Sequence, residues 1–234
     1  MRPGFVLVSA LAVTLVAQSA AQCNPPPAAQ VSAKEPQPFE DEIAEFEAAD
    51  RAHPPRKGGV LFVGSSSIRL WPNLERDFPQ VNVLQRGFGG SELSQVVYYA
   101  PRIVLPYCPR RIVLYAGDND LADNRTPEQI LQDYKDFVAV VHHAIPRTRI
   151  AFVAIKPSRS RWALADKMRA TNDMVRAYTA TDSLLTYIDV FTPMLGNNGQ
   201  PRDELLAPDM LHLNARGYAL WRRLITPFVN RTDR

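Results

Sequence analysis

The chain has 234 residues, 46% of them hydrophobic and 22% charged, the proportions of an ordinary globular protein, which argue against wholesale disorder and against a polytopic membrane protein. Lys and Arg together number 27 against 24 Asp and Glu, a formal charge of +3; so small a field, with no basic stripe or reading motif, argues against a nucleic-acid partner. Two cysteines, Cys23 and Cys108, exclude a disulfide scaffold and a thiolate zinc site, and leave one Cys23–Cys108 bridge available in an oxidising compartment.

Residues 1–21 have the layout of a secretory leader: Arg2, an apolar run from Phe5 to Ala17, then the small residues Ser19, Ala20 and Ala21, with cleavage expected after Ala21. The run is shorter than the ~20 apolar residues of a membrane span, and Ser9, Thr14 and Gln18 interrupt it. The mature form is therefore expected to be secreted or periplasmic, with no integral span. Cys23 lies just past the cleavage site, but Gln22 before it is bulkier than the small residue a lipoprotein signal carries, which ranks a lipid anchor below simple cleavage. Residues 22–38, rich in Pro, Ala and Gln, lack the apolar surface to fold and read as a flexible tether. The folded domain is expected over 39–234.

Within that domain, short apolar runs alternate with helical periodicity. Val60 to Val63, Val81 to Leu84, Ile112 to Tyr115, Ile150 to Ile155 and Leu184 to Ile188 are nearly continuous, as suits strands of a parallel sheet buried on both faces. After the third run, Thr126 as cap, Pro127 in the first turn and Gln129 completing a capping box predict a helix. Its apolar stripe includes Ile130, Tyr134, Phe137 and Val141. A second helix is predicted over Ala165 to Thr179. A last one, capped by Asn214, buries Tyr218, Trp221, Ile225 and Phe228. The order implies a doubly wound α/β domain whose site lies at the carboxyl ends of the strands. Cys108 reads as a small buried thiol near an element boundary, and the pairs Arg110-Arg111 and Arg222-Arg223 as solvated surface.

Chemistry-bearing residues collect at those strand ends. Gly64-Ser65-Ser66-Ser67 follows the first run, Gly87-Phe88-Gly89-Gly90-Ser91 the second, and Gly117-Asp118-Asn119 the third; Asp209-Met210-Leu211-His212 precedes the last helix. A serine hydroxyl becomes nucleophilic when a base takes its proton and a third group holds that base in the right tautomer. His212 is the candidate base, because His53 lies in a Pro-rich patch and His142-His143 end a helix. Asp209, three residues before it on a loop, is the candidate orienting carboxylate. Acyl transfer also needs donors aimed at a developing oxyanion: the backbone N–H groups of Ser66 and Gly90 and the Asn119 amide are placed to supply them.

These blocks resemble those of the SGNH (GDSL-like) hydrolases, and within them are similar to the platelet-activating-factor acetylhydrolase-type esterases. The resemblance runs from about Val60 to Phe228. It implies that Ser66, two residues after Gly64, is the nucleophile and that Asp209 and His212 complete a triad. Ser66, Gly90 and Asn119 would form the oxyanion hole. It also implies a flavodoxin-like three-layer α/β/α sandwich with strand order 2-1-3-4-5. One position departs from the family pattern: Ser65 stands where an Asp usually separates the glycine from the nucleophile, leaving the bracing of that loop, and the choice among three consecutive serines, to be decided by geometry.

Taken singly, each block has a plain structural reading: a polar turn for the serines, a tight turn for Gly89-Gly90, a loop cap for Asn119, a structural pair for Asp209 and His212. Their occurrence together favours chemistry. Gly87-Phe88-Gly89-Gly90 only superficially suggests dinucleotide binding, since Glu92 occupies the sixth position and the segment follows the second strand. There is no Walker A sequence, no His-Glu-x-x-His and no Gly-x-Ser-x-Gly elbow, so neither metal nor organic cofactor is implied. Lys156-Pro157-Ser158-Arg159-Ser160-Arg161-Trp162 leaves the fourth strand near the same end. Trp162 could wall an acyl or sugar site and Arg159 or Arg161 could meet an anion, but a packed aromatic and a solvated loop explain them equally, so none joins the catalytic set. The expected activity is hydrolysis of a small-molecule or glycan ester. Acyl transfer to a glycan on the same triad is the alternative within chemistry, and a noncatalytic glycan- or protein-binding module is the alternative outside it.

Overall fold

In the computed structural model, which describes Cys23 and residues 38–231, five parallel strands form one sheet in the order β2-β1-β3-β4-β5. The elements run α1 (Glu40–Ala52), β1 (Val60–Gly64), α2 (Ser66–Arg69), α3 (Leu74–Asp77), β2 (Val83–Gly87), α4 (Leu93–Ile103), β3 (Arg111–Tyr115), α5 (Asp118–Ala122), α6 (Pro127–Ala144), β4 (Arg149–Val153), α7 (Ala165–Thr179), β5 (Leu185–Ile188) and α8 (Ala215–Val229). This is the three-layer sandwich that the resemblance implies. The proposed leader, and all of the tether except Cys23 and Pro38, lie outside the described residues.

The central strands β1 and β3 are buried along their whole length, which is why they read as unbroken apolar runs. Helices α4, α6 and α7 pack side by side on one face. On the other, the rings of Trp71, Tyr218, Trp221 and Tyr115 join the α2–α3 turn and α8 to the sheet. The predicted caps form: Thr126 and Gln129 make a reciprocal capping box, and Asn214 accepts from the backbone N–H groups of Arg216 and Gly217 at 2.8 and 3.1 Å.

Three sequence readings need correction. The second strand spans Val83–Gly87 instead of residues 81–84. Val81 belongs to a turn, its N–H donating to Phe78, while the polar Gln85 and Arg86 continue the strand at the sheet edge. Arg86 can be buried there because its guanidinium meets Asp50 and the Tyr107 hydroxyl and lies over the Phe46 ring. The fourth strand ends at Val153, two residues early, because Asn172 takes over pairing at Ile155, bonding both its N–H and its carbonyl. Arg111 is not solvated surface: it is 1% exposed, starting a central strand between Val60 and Arg149 and donating to the Arg231 carbonyl. Arg222 and Arg223 are exposed as expected.

Cys23 and Cys108 form a disulfide, so Cys108 is no free thiol. No described helix is long and apolar enough to cross a membrane.

Candidate active site

Sheet register brings the sequence blocks together. Gly64 pairs with Gly87 on one side and Tyr115 on the other, so these three residues mark a common level at the carboxyl end. Ser66, Gly90 and Asn119 follow that level by two, three and four residues respectively. Strand order reverses here, with chain continuing from β1 outward to β2 and then back past β1 to β3, and a crevice opens at such a point.

The nucleophile loop is braced through backbone. Ser65 donates its N–H to Tyr115 at 2.9 Å, and its carbonyl accepts from Ile68 and Arg69, so the loop holds without the acidic side chain usual at this position. The three serines separate by environment. Ser65 and Ser67 are each 2% exposed, and the Ser67 carbonyl accepts from the Tyr218 hydroxyl at 3.0 Å. Ser66 is partly open and its Oγ lies 3.1 Å from His212 Nε2.

On the opposite wall, Asp209 Oδ2 is 2.6 Å from His212 Nδ1, while its Oδ1 accepts from the N–H groups of Leu211 and His212 at 2.9 Å each. These three bonds, the ring's first, pull the Asp209 pKa down to about 2. An ionised carboxylate at Nδ1 keeps the imidazole proton there and leaves Nε2 as acceptor for the serine hydroxyl. Met210 adopts φ 57° to make this tight return, and its carbonyl is held by the Ser160 N–H.

Asn119 faces Gly90: a methyl built on Gly90 would lie 3.7 Å from Asn119 Nδ2. The Asn119 Nδ2 donates to the Ser91 carbonyl at 3.1 Å, and its Oδ1 accepts from Arg161 at 3.0 Å. At Ser66, the first residue of α2, the backbone N–H has no acceptor within the helix. The five residues picked from sequence therefore converge from four loops.

The exit of β4 divides. Arg161 joins the site, whereas Arg159 pairs with Asp203 at the surface and Trp162 stacks on Phe191 with Arg169 over it. The missed signal for Arg161 was the acid beside Asn119: Asp118 is 4% exposed, and a buried carboxylate requires cations. Burial raises its pKa, but Lys156 and Arg161 outweigh that and leave it lowered. Among the described residues no group of three or more His, Cys, Asp or Glu side chains is disposed to hold a metal ion.

Asp120, behind Asn119, is fully buried. Its Oδ1 accepts from the Leu93 N–H at 2.9 Å, whereas Oδ2 has no hydrogen-bond partner among the described residues. Burial pushes its pKa up to about 6. The folded state thus keeps a proton that the unfolded chain has already lost, so this group's stabilising effect is full below about pH 4 and is lost as pH rises through about 6. Asp120→Asn retains an acceptor for Leu93 and removes the charge. It is expected to raise the melting temperature at pH 8, by at most about 3 kcal/mol of stability, with the gain vanishing at pH 4. Thermal melts at the two pH values check this, and equal gains at both would contradict it.

Residues 58–220 match the model of the GDSL-like Lipase/Acylhydrolase family. A search of curated protein sequences gives no match. Among solved structures, the fold is similar to a candidate platelet activating factor from Streptococcus pneumonia, at 19% identity and TM-score 0.72 over 81% of this chain and 92% of that one. It is also similar to a GDSL-like lipase from Bacteroides thetaiotaomicron, at 18% identity and TM-score 0.70 over 80% and 96%. An acetylxylan esterase from Geobacillus stearothermophilus shares it at 12% identity and TM-score 0.60 over 76% and 96%.

Proposed function

The chain belongs to the GDSL-like lipase/acylhydrolase family, which makes it a carboxylic ester hydrolase, and from that premise we propose that it is an exported serine esterase cleaving small acyl esters through an acyl-enzyme on Ser66. The observation that carries this reading is the continuous chain of contacts from Asp209 through His212 to Ser66, 2.6 and 3.1 Å long. His212 Nε2 takes the hydroxyl proton as Ser66 Oγ attacks the carbonyl carbon. The resulting oxyanion lies among the N–H groups of Ser66 and Gly90 and the Asn119 amide. As the tetrahedral centre collapses, the alkoxide leaves with the proton from His212. Water then attacks the acyl-enzyme, giving its proton to His212, and the second collapse releases the acid and restores the Ser66 hydroxyl.

The rim suits a substrate whose alcohol portion is large, because the Asp209 and His212 side chains are 50% and 27% exposed. The same openness gives water the access to the acyl-enzyme that hydrolysis requires. The likeness to an acetylxylan esterase makes acetylated glycans the first natural esters to assay. Backbone bracing of the Ser65 position removes the reason for reading the fold as a noncatalytic binding module. Export is supported by the Cys23–Cys108 disulfide, since such bonds persist in oxidising compartments; it also occupies the thiol that a lipid anchor would need.

The test is labelling of the mature chain with a fluorophosphonate, followed by peptide mapping. An adduct on Ser66 that disappears in Ser66→Ala is expected. An adduct on Ser65 or Ser67 would move the nucleophile, and a folded chain with neither adduct nor ester turnover would overturn the reading.

A further inference from the structure

The strongest unassigned feature is a row of charged groups running into the oxyanion hole. Lys156, 1% exposed, places Nζ 2.7 Å from Asp118 Oδ2, and Arg161 places Nη1 2.8 Å from Asp118 Oδ1. Each carboxylate oxygen thus holds one cation. The second face of the Arg161 guanidinium reaches Asn119 Oδ1, with Nη2 at 3.0 Å. We propose that Arg161 is a positioning residue for ester hydrolysis, locking the Asn119 amide in the one orientation that presents Nδ2–H to the developing oxyanion; the proposal rests on the esterase reading above.

An asparagine amide is nearly symmetric in shape, so its orientation is fixed by partners alone. Rotation by half a turn would set Oδ1 against the Ser91 carbonyl, oxygen to oxygen, and the NH₂ against the guanidinium, donor to donor. Both contacts would be repulsive. In the orientation found, one Nδ2–H is taken by Ser91 and the other is left on the side of Gly90. Without Arg161 only the Ser91 bond would oppose rotation, and the oxyanion would lose a preorganised donor.

Asp118 and Lys156 are too deeply buried for substitution to separate folding from catalysis. The Arg161 side chain is 21% exposed, which makes it the residue to change.

Turnover of p-nitrophenyl acetate by the mature chain tests the idea in four forms: wild type, Arg161→Ala, Asn119→Ala and the double variant. Arg161→Ala is expected to lower kcat ~10- to 100-fold, with KM within about twofold of wild type. In the Asn119→Ala background the same change should cost less than about threefold, because its target is gone. Arg161→Lys, which restores the charge but not the fork, should recover part of the loss. An equal loss in both backgrounds, a change in KM alone, or no change in kcat would overturn the proposal. A second readout needs no turnover: the ¹⁵N heteronuclear NOE of the Asn119 side-chain amide, identified by its disappearance in Asn119→Ala, should fall in Arg161→Ala. An unchanged NOE overturns the proposal even if the wild type proves inactive, an outcome that would count separately against the esterase reading.

Discussion

Alanine at Ser66 or at His212 is expected to lower kcat for ester hydrolysis by about 10⁶, and the double variant to lose no more than either single one. The groups act as one unit. Without the imidazole 3.1 Å away the hydroxyl keeps its proton, and without the hydroxyl the imidazole has nothing to deprotonate. Asn119→Ala removes one donor of several and costs only about 10²–10³. Asp209→Asn falls between, near 10⁴, because an amide facing Nδ1 favours the wrong tautomer. The pH profile follows from the same geometry. Asp209, its pKa held at about 2 by the ring and two backbone N–H groups, stays ionised as the solution is acidified. Protonation of Asp209 therefore takes nothing from kcat/KM until near pH 2. Additive losses in the double variant, or a loss of kcat/KM traced to Asp209 well above that pH, would mean that a different arrangement serves Ser66.

The parts of the fold legible in sequence are those where a single physical cause dominates. β1 and β3 are covered on both faces, so burial alone writes their apolar runs; α6 and α8 carry caps that mark their starts. Helix α1 escaped because its contacts are mostly ionic. Ile43 is its one fully buried residue, and it is tied down by Glu40 and Glu47 to Arg102 and by Asp50 to Arg86, partners 36 to 62 residues away. Helix α4 carries β-branched and aromatic residues and Pro101, a composition that favours strand over helix. The capping box of Glu92 and Gln95 at its start was the signal to weigh.

The site was legible for a different reason. Strand ends are recognisable, and reactive residue types placed just past them stand out against apolar runs. Direction was not legible, since nothing local separates Ser66 from Ser65 and Ser67. That depends on the fold burying Ser65 and Ser67 and on His212, 146 residues on, reaching the Ser66 hydroxyl. The split between Arg159 and Arg161 is likewise tertiary: one meets Asp203, the other Asp118, and both acids are distant in sequence.

Gly64→Ala is expected to destabilise the fold itself, which separates the scaffold from the chemistry. Gly64 has φ 133°, a conformation that L side chains rarely adopt. A Cβ there would lie 1.9 Å from the Tyr115 carbonyl oxygen and 2.7 Å from its carbon. Backbone cannot swing aside as a side chain can: Ser65 donates to that same carbonyl, and Gly64 accepts from Phe88 on the other side. The methyl must therefore part β1 from β3 where the strand order reverses, at a cost above about 4 kcal/mol, or a fall of roughly 8–16 °C in melting temperature for a chain of this size. Gly90→Ala is the control. Its methyl would meet Asn119 at 3.7 Å, an ordinary contact, so the variant should melt like the wild type while losing turnover from a crowded oxyanion position. A Gly64→Ala chain that melts with the wild type would mean that the ends of β1 and β3 are slack, and Ser66 would then need some support other than the Gly64 backbone to stand 3.1 Å from His212.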